Sequence, residues 1–352
     1  MTPGSWNGTR VLLTGHSGFK GAWLTLWLQS LGAEVTGLSL PPDTEPSLWG
    51  LVAAAQPVRE VTGDIRDPDV VAKAFDAAGP EVVLHLAAQS LVRRGYRRPA
   101  DTFHVNVMGT VNVLDAALAS PGVRMVLVVT SDKVYANSGE GEPYDEGAPL
   151  GGKDPYSASK ACTEMVVNAY RHSYYAVAGI ALATARAGNV IGGGDWAPDR
   201  VVPDTARMLA AGEPVPLRYP DATRPWQHVL DPLHGYLLLA DRMLTDPAGV
   251  PPALNFGPPR AGCIRVRDVV DRLTERWGGQ PGWYHDTAAT PPEQGALALS
   301  SALATEVLGW RPVLELDEAL TWTAEWYAAH RRGDDMASFT ASQIKRFQER
   351  AG

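Results

Sequence analysis

The stretch "LLTGHSGFKGAWL", residues 12–24, decides the fold. Its glycines, Gly15, Gly18 and Gly21, follow an apolar β-branched run and open a helical pattern. Glycine lets a backbone turn sharply and approach a pyrophosphate, while a helix N-terminus offers unpaired N–H groups and a partial positive charge to phosphates. A glycine triplet alone is a weak sign; between a strand and a helix at the start of the chain it points to a dinucleotide site. Working outward, "EVTGLSL" (34–40), "EVVLHLAA" (81–88) and "VRMVLVVTS" (123–131) repeat the short apolar runs, with helical patterns between them. Near-continuous apolar strands separated by amphipathic helices make a parallel sheet covered on both faces. After about residue 185 the texture changes, with Gly- and Pro-rich connections in "GNVIGGGDWAPDR" (188–200) and "YPDATRPWQ" (219–227) marking a second lobe.

Composition bounds the function. With 352 residues, 45% of them hydrophobic and 20% charged, the chain can bury a sizeable core in two lobes. A formal net charge of −8 argues against nucleic acid, and the basic run "RRGYRRP" (93–99) is short and isolated. No signal-like leader opens the chain and no uninterrupted apolar segment approaches membrane length. The two cysteines, Cys162 and Cys263, have no disulfide or metal spacing, so the expectation is a cytoplasmic protein without a metal.

Chemistry enters with two further motifs. In "DPYSASKA" (154–161), Tyr156 and Lys160 stand one helical turn apart and share a face. An ammonium and an oxidised nicotinamide beside a phenol, whose ordinary pKa is about 10, favour the phenolate and make Tyr156 a candidate base. In "VVTSDKVYA" (128–136) a buried strand runs into Ser131 and then the pair Asp132 and Lys133. By itself an Asp-Lys dipeptide is an ordinary solvated turn. Beside a nicotinamide, however, Tyr156 and Ser131 are the groups that hydride transfer from a carbinol needs. Cofactor identity stays open between NAD and NADP, because the second strand ends in Ser39, without the usual acid, and Lys20 adds a positive charge to the glycine loop.

These motifs, with "GDIRD" (63–67) and "LAAQS" (86–90), resemble the extended short-chain dehydrogenase/reductase family. Within it, "AAQSLVRRGYRRP", "TFHVNVMGT", "TSDKVY", "ARAGNVIGGGDW", "DRVVPD" and "TRPWQHVLDPLHGYLLLA" resemble the CDP-glucose 4,6-dehydratase branch, and the likeness runs through "ASFTASQIKRFQ" (337–348). Its most specific element is Lys133 after Asp132, where related TDP-glucose and GDP-mannose dehydratases carry glutamate. The resemblance implies an α/β fold: a doubly wound parallel-sheet Rossmann domain over residues 1–185, to which part of 225–260 returns, and a smaller mixed α/β lobe over 186–352. It implies a nucleotide-sugar substrate, CDP-glucose, converted to the 4-keto-6-deoxy sugar plus water, with NAD the expected cofactor.

By position, the resemblance assigns Phe19, Lys20, Ser39, Asp64, Ile65, Ala87, Ala88, Gln89 and Asn106, with Tyr156 and Lys160, to the dinucleotide. Asp64 and Ile65 take the adenine, and Ala87 and Gln89 the nicotinamide side. To the substrate it assigns Gln89, Asn189, Arg200, Val201, Arg224, His228 and Glu293, with Asn189, Arg200 and Arg224 on the diphosphate. The chain departs from the pattern in the loop at 134–152, at Gly95, and around Glu293, where Pro292 and Ser300 replace a histidine and an aspartate. The alternatives are another nucleotide-sugar dehydratase or epimerase, which needs no acid–base pair for water loss, and a dinucleotide-binding regulator without catalysis. The long apolar helical stretches at 101–119 and 156–175 suit a homodimer or homotetramer.

Overall fold

The computed structural model describes residues 6–55, 57–139, 141–288 and 297–352. Its centre is a seven-stranded, all-parallel sheet. Strands β1 (Arg10–Thr14), β2 (Glu34–Ser39), β3 (Arg59–Thr62), β4 (Val82–His85), β5 (Met125–Val129) and β6 (Ala181–Ala187) stand in the order β3-β2-β1-β4-β5-β6. This is the doubly wound order, with its switch point between β1 and β4, where ligands of such sheets bind. Side chains alternate across the sheet as a period of two requires. Leu12, Val83 and Val126 enter one core layer, and Val11, Leu13, Leu84 and Leu127 the other.

Local signals set the helix ends. Asp67 caps Pro68–Ala78 by accepting from the N–H groups of Asp69 and Val70, and Gly79, at φ 48°, closes it in the left-handed region. Asp154 does the same for Pro155–Tyr170, accepting from Tyr156 and Ser157. The helix Phe19–Ser30 is buried over most of its circumference, because the C-terminal helix Met336–Ala351 covers the side that faces away from the sheet. Trp27 meets Phe347 there edge to face, at 5.5 Å between ring centroids.

The second lobe holds β7 (Asn189–Ile191), β8 (Val215–Leu217), β9 (Thr223–His228), β11 (Cys263–Arg265) and β12 (Trp283–His285). They form a three-stranded sheet, β11-β9-β7, and a two-stranded sheet, β12-β8. The chain crosses between lobes more than once. Helix Leu230–Thr245 packs on β5 and β6, and β10 (Ala253–Phe256) adds the seventh strand beside β6. The C-terminal helix Met336–Ala351 likewise packs on Phe19–Ser30 beside the parallel sheet. No helix of the described residues is long and apolar enough to cross a membrane.

Candidate active site

A cavity of about 590 Å³ runs along the carboxyl ends of the parallel strands and into the second lobe. Its first wall is the glycine loop. Gly15 has φ 77°, and a Cβ there would sit 2.7 Å from the Ala87 nitrogen; a Cβ on Gly21 would sit 2.0 Å from the Gly15 oxygen. Only glycine packs the loop this tightly, which brings the start of Phe19–Ser30 to the cavity and leaves a cradle suited to a pyrophosphate. Gly18, Phe19, Ser39, Asp64, Ile65, Ala87, Ala88 and Gln89 line the same end.

Several assigned residues serve the site through other groups. Asn106 does not line the cavity; it is buried, accepts from the Gln89 N–H at 2.8 Å and donates to the Gln89 carbonyl at 3.0 Å, so it fixes the loop after β4. Beneath that loop, Thr14 Oγ1 contacts His85 Nδ1 at 2.7 Å and His85 Nε2 contacts Thr110 Oγ1 at 3.0 Å. Burial pulls the His85 imidazole down to about 3, so it is a neutral spacer. Asp64 accepts from Arg66, which holds its carboxyl below the usual range.

Lys20 lines the cavity, its Nζ 3.4 Å from Tyr236 Oη and within the fields of Arg200, Asp132 and Lys160, and desolvation draws it down to about 7. Ser39 is engaged within the protein, its Oγ donating to Ser17 Oγ at 2.8 Å and lying 3.1 Å from His16 Nδ1. His228 is fully buried between Trp23 and Trp322, accepts from the Leu230 N–H and lies off the cavity, so it is a core residue. Glu293 lies outside the described residues.

The chemistry-bearing groups converge where β5 ends. Ser131 accepts from the Lys133 N–H at 3.2 Å and donates to Asp132 Oδ1 at 3.0 Å, at the end of the cavity that Tyr156 also lines. Burial pushes Tyr156 up to about 12, opposed by Ser131 and by the charge of Arg200. Lys160 Nζ donates to the Val129 carbonyl at 3.1 Å, and desolvation lowers it to about 8. Asp132 is 2% exposed and its Oδ2 has no hydrogen-bond partner among the described residues. Desolvation raises its carboxyl, against the pull of Lys133, Arg224 and Lys20. Lys133 lines the cavity with part of its side chain in solvent.

The far end is cationic. Asn189 and Arg224 reach the cavity from β7 and β9, and Arg200 and Val201 stand at the N-terminus of the helix Val201–Ala211. Arg200 donates to Asp195 Oδ2 and to Ser90 Oγ, both at 2.9 Å, tying the second lobe to the loop after β4. Guanidinium groups at a helix N-terminus suit a diphosphate. Arg93, Asp199 and Arg218 line this end too, though no local pattern in the sequence singles them out. Among the described residues there is no His, Cys, Asp and Glu cluster able to hold a metal.

Known proteins are similar to this chain over most of its length. The model of the NAD dependent epimerase/dehydratase family matches residues 11–251. The CDP-glucose 4,6-dehydratase of Salmonella typhimurium is 42% identical over 344 residues, 96% of each chain. A dTDP-glucose 4,6-dehydratase of Xanthomonas campestris is 28% identical, over 91% of this chain and 93% of that one. Among solved structures, a Thermus thermophilus UDP-glucose 4-epimerase with NAD superposes with TM-score 0.79 at 27% identity, covering 91% of this chain and 99% of that one. A dTDP-glucose 4,6-dehydratase from Streptomyces venezuelae with NAD bound gives 0.78 at 25%, covering 93% and 99%. With the glycine cradle and the full-length likeness in agreement, this chain belongs to the NAD dependent epimerase/dehydratase family.

Proposed function

We propose that this protein is a nucleotide-sugar 4,6-dehydratase that converts CDP-glucose to CDP-4-keto-6-deoxyglucose and water, with NAD as its cofactor. The observation that carries the reading is the buried carboxyl of Asp132, one oxygen unpartnered, beside Ser131 and Tyr156. An epimerase needs the phenol and the dinucleotide but no second acid. The cradle of Gly15, Gly18 and Gly21 fits NAD, which when bound supplies the hydride acceptor for C4 and the donor for C6.

The protein's own groups move the protons. Tyr156 takes the proton of the C4 hydroxyl while Ser131 holds that oxygen. Ketone formation acidifies the C5 hydrogen, and Lys133 serves this step either as the base that removes it or as the cation that steadies the enolate. Asp132, kept protonated by burial, donates to the C6 hydroxyl, which leaves as water. The later steps return a proton to C5 and leave the 4-ketone. Arg200, Arg224, Asn189 and the helix N-terminus at Val201 hold the diphosphate, so that binding energy from the nucleotide orients the sugar.

Two further features belong to this reading. The unpaired thiols of Cys162 and Cys263 suit a reducing cytoplasm. A homodimer is inferred from the outward side of the helices at 109–119 and 155–170 and the segment after them, where Met165 and Val177 are 65% and 87% exposed. The activity is tested by incubating the protein and NAD with CDP-, UDP-, dTDP- and GDP-glucose and following the 4-keto product. The reading expects CDP-glucose to give the highest kcat/KM; no 4-keto product from any of the four would overturn it.

A further inference from the structure

We propose that Asp199 and Arg218 form the element that reads the base of the substrate and selects cytosine over uracil and thymine. The inference rests on the CDP-glucose reading above and adds the residues responsible. Asp199 is in the left-handed backbone region at φ 65°, directly before Arg200. Its Oδ1 accepts from Arg93 Nη1 at 2.6 Å and from Arg218 Nη1 at 2.9 Å, and Arg218 Nη2 also reaches the Asp199 carbonyl. Both guanidinium contacts go to one oxygen. Oδ2 takes no hydrogen bond from a described residue, and Asp199 and Arg218 both line the cavity.

Position makes this the base end. The sugar must lie at Tyr156 and Asp132, and Arg200 follows, close enough to act on the Tyr156 phenol by charge. A diphosphate on Arg200 and Arg224 carries its nucleoside onward, past Arg200 to its neighbour Asp199 and to Arg218 on the segment after β8. Apolar walls stand there: Val266, whose N–H donates to the Ala222 carbonyl, and Pro203 line the same end.

Cytosine presents a donor, the C4 amino group, beside an acceptor, N3. A carboxylate oxygen next to a guanidinium N–H presents the complement. Uracil and thymine reverse the pattern, setting O4 against the carboxylate and N3–H against the guanidinium, so a polar pair fails on both contacts. The Arg93 contact holds the carboxylate ionised and in place: the hydrogen bonds of Arg93 and Arg218 outweigh desolvation and keep the Asp199 carboxyl below the ordinary range.

Asp199→Asn tests the assignment, because asparagine tolerates the left-handed backbone and its amide can turn to donate to O4. Dissociation constants for CDP, UDP and dTDP are measured by calorimetry on wild type, Asp199→Asn and Arg218→Gln, alongside kcat/KM for the three glucose esters. The wild type should favour CDP. In Asp199→Asn the CDP-to-UDP ratio should fall by roughly tenfold or more, the worth of one good base-edge contact. Equal weakening of all three nucleotides in both variants would show that the pair serves the diphosphate or the fold, and would overturn the inference while leaving the activity intact. A wild type that does not prefer CDP overturns the inference together with the nucleotide assignment beneath it.

Discussion

In the proposed reaction the chemistry turns on Asp132. A carboxyl 2% exposed, with one oxygen unpartnered among the described residues and its titration raised by desolvation, is suited to act as an acid. Asp132→Asn should therefore still oxidise C4 and reduce the bound dinucleotide, yet stall before water loss, with turnover lowered by about two to four orders of magnitude. A substrate with fluoride at C6, a leaving group that needs less acid, should recover much of that loss. Tyr156→Phe should instead block dinucleotide reduction, and fluoride should not help it. Because Asp132 acts protonated, the elimination step should slow as pH rises through its elevated titration, a limb absent in Asp132→Asn. If the asparagine variant eliminates water at the wild-type rate, the carboxyl is structural. At this scale the candidate groups are legible because they are close in sequence: Ser131, Asp132 and Lys133 are consecutive, and Tyr156 and Lys160 are one turn apart. Asp199 and Arg93 were not legible, since their contact spans 106 positions and exists only once the two lobes meet.

The elements show why some assignments moved. Gly15, Gly18 and Gly21 announced a cradle because glycine spacing is a backbone property, readable without tertiary context. The direction of Lys20 within the same loop was not readable, because Tyr236 on the distant helix Leu230–Thr245 receives it. His228 likewise ends a strand in a polar-looking motif, "TRPWQHV", and only the tryptophans packed on it reveal a core position. The helices behind the inferred dimer were read as single long segments. In the structure, π-helical turns at His104–Met108 and Arg171–Tyr175 interrupt them, a feature that apolar periodicity does not mark. Met165 at 65% exposure lies on the outward face. Sedimentation should give a dimer at micromolar concentration and a shift toward monomer in Met165→Lys, since a buried unpaired ammonium opposes association. A monomeric wild type would remove this interface from the account.

At the scale of the whole molecule, the proposed reaction divides the labour between two lobes: the parallel sheet places the glycine cradle after β1 and Ser131, Asp132 and Lys133 after β5, and the second lobe brings Arg200 and Arg224 to the cavity. The strand–helix alternation made the first lobe legible. The second was visible chiefly as a change of texture, because its short strands β7, β8, β9, β11 and β12 are set by tertiary pairing and have little periodicity of their own. Both lobes must act on one sugar for the proposed reaction, in which the hydrogen taken from C4 returns to C6 of the same molecule. The decisive measurement is turnover of CDP-glucose deuterated at C4, in ordinary water, with the product examined by NMR and mass spectrometry. The account predicts CDP-4-keto-6-deoxyglucose with the deuterium at C6 and a solvent hydrogen at C5. A product that keeps its C6 hydroxyl, such as the C4 epimer with deuterium retained at C4, would contradict it.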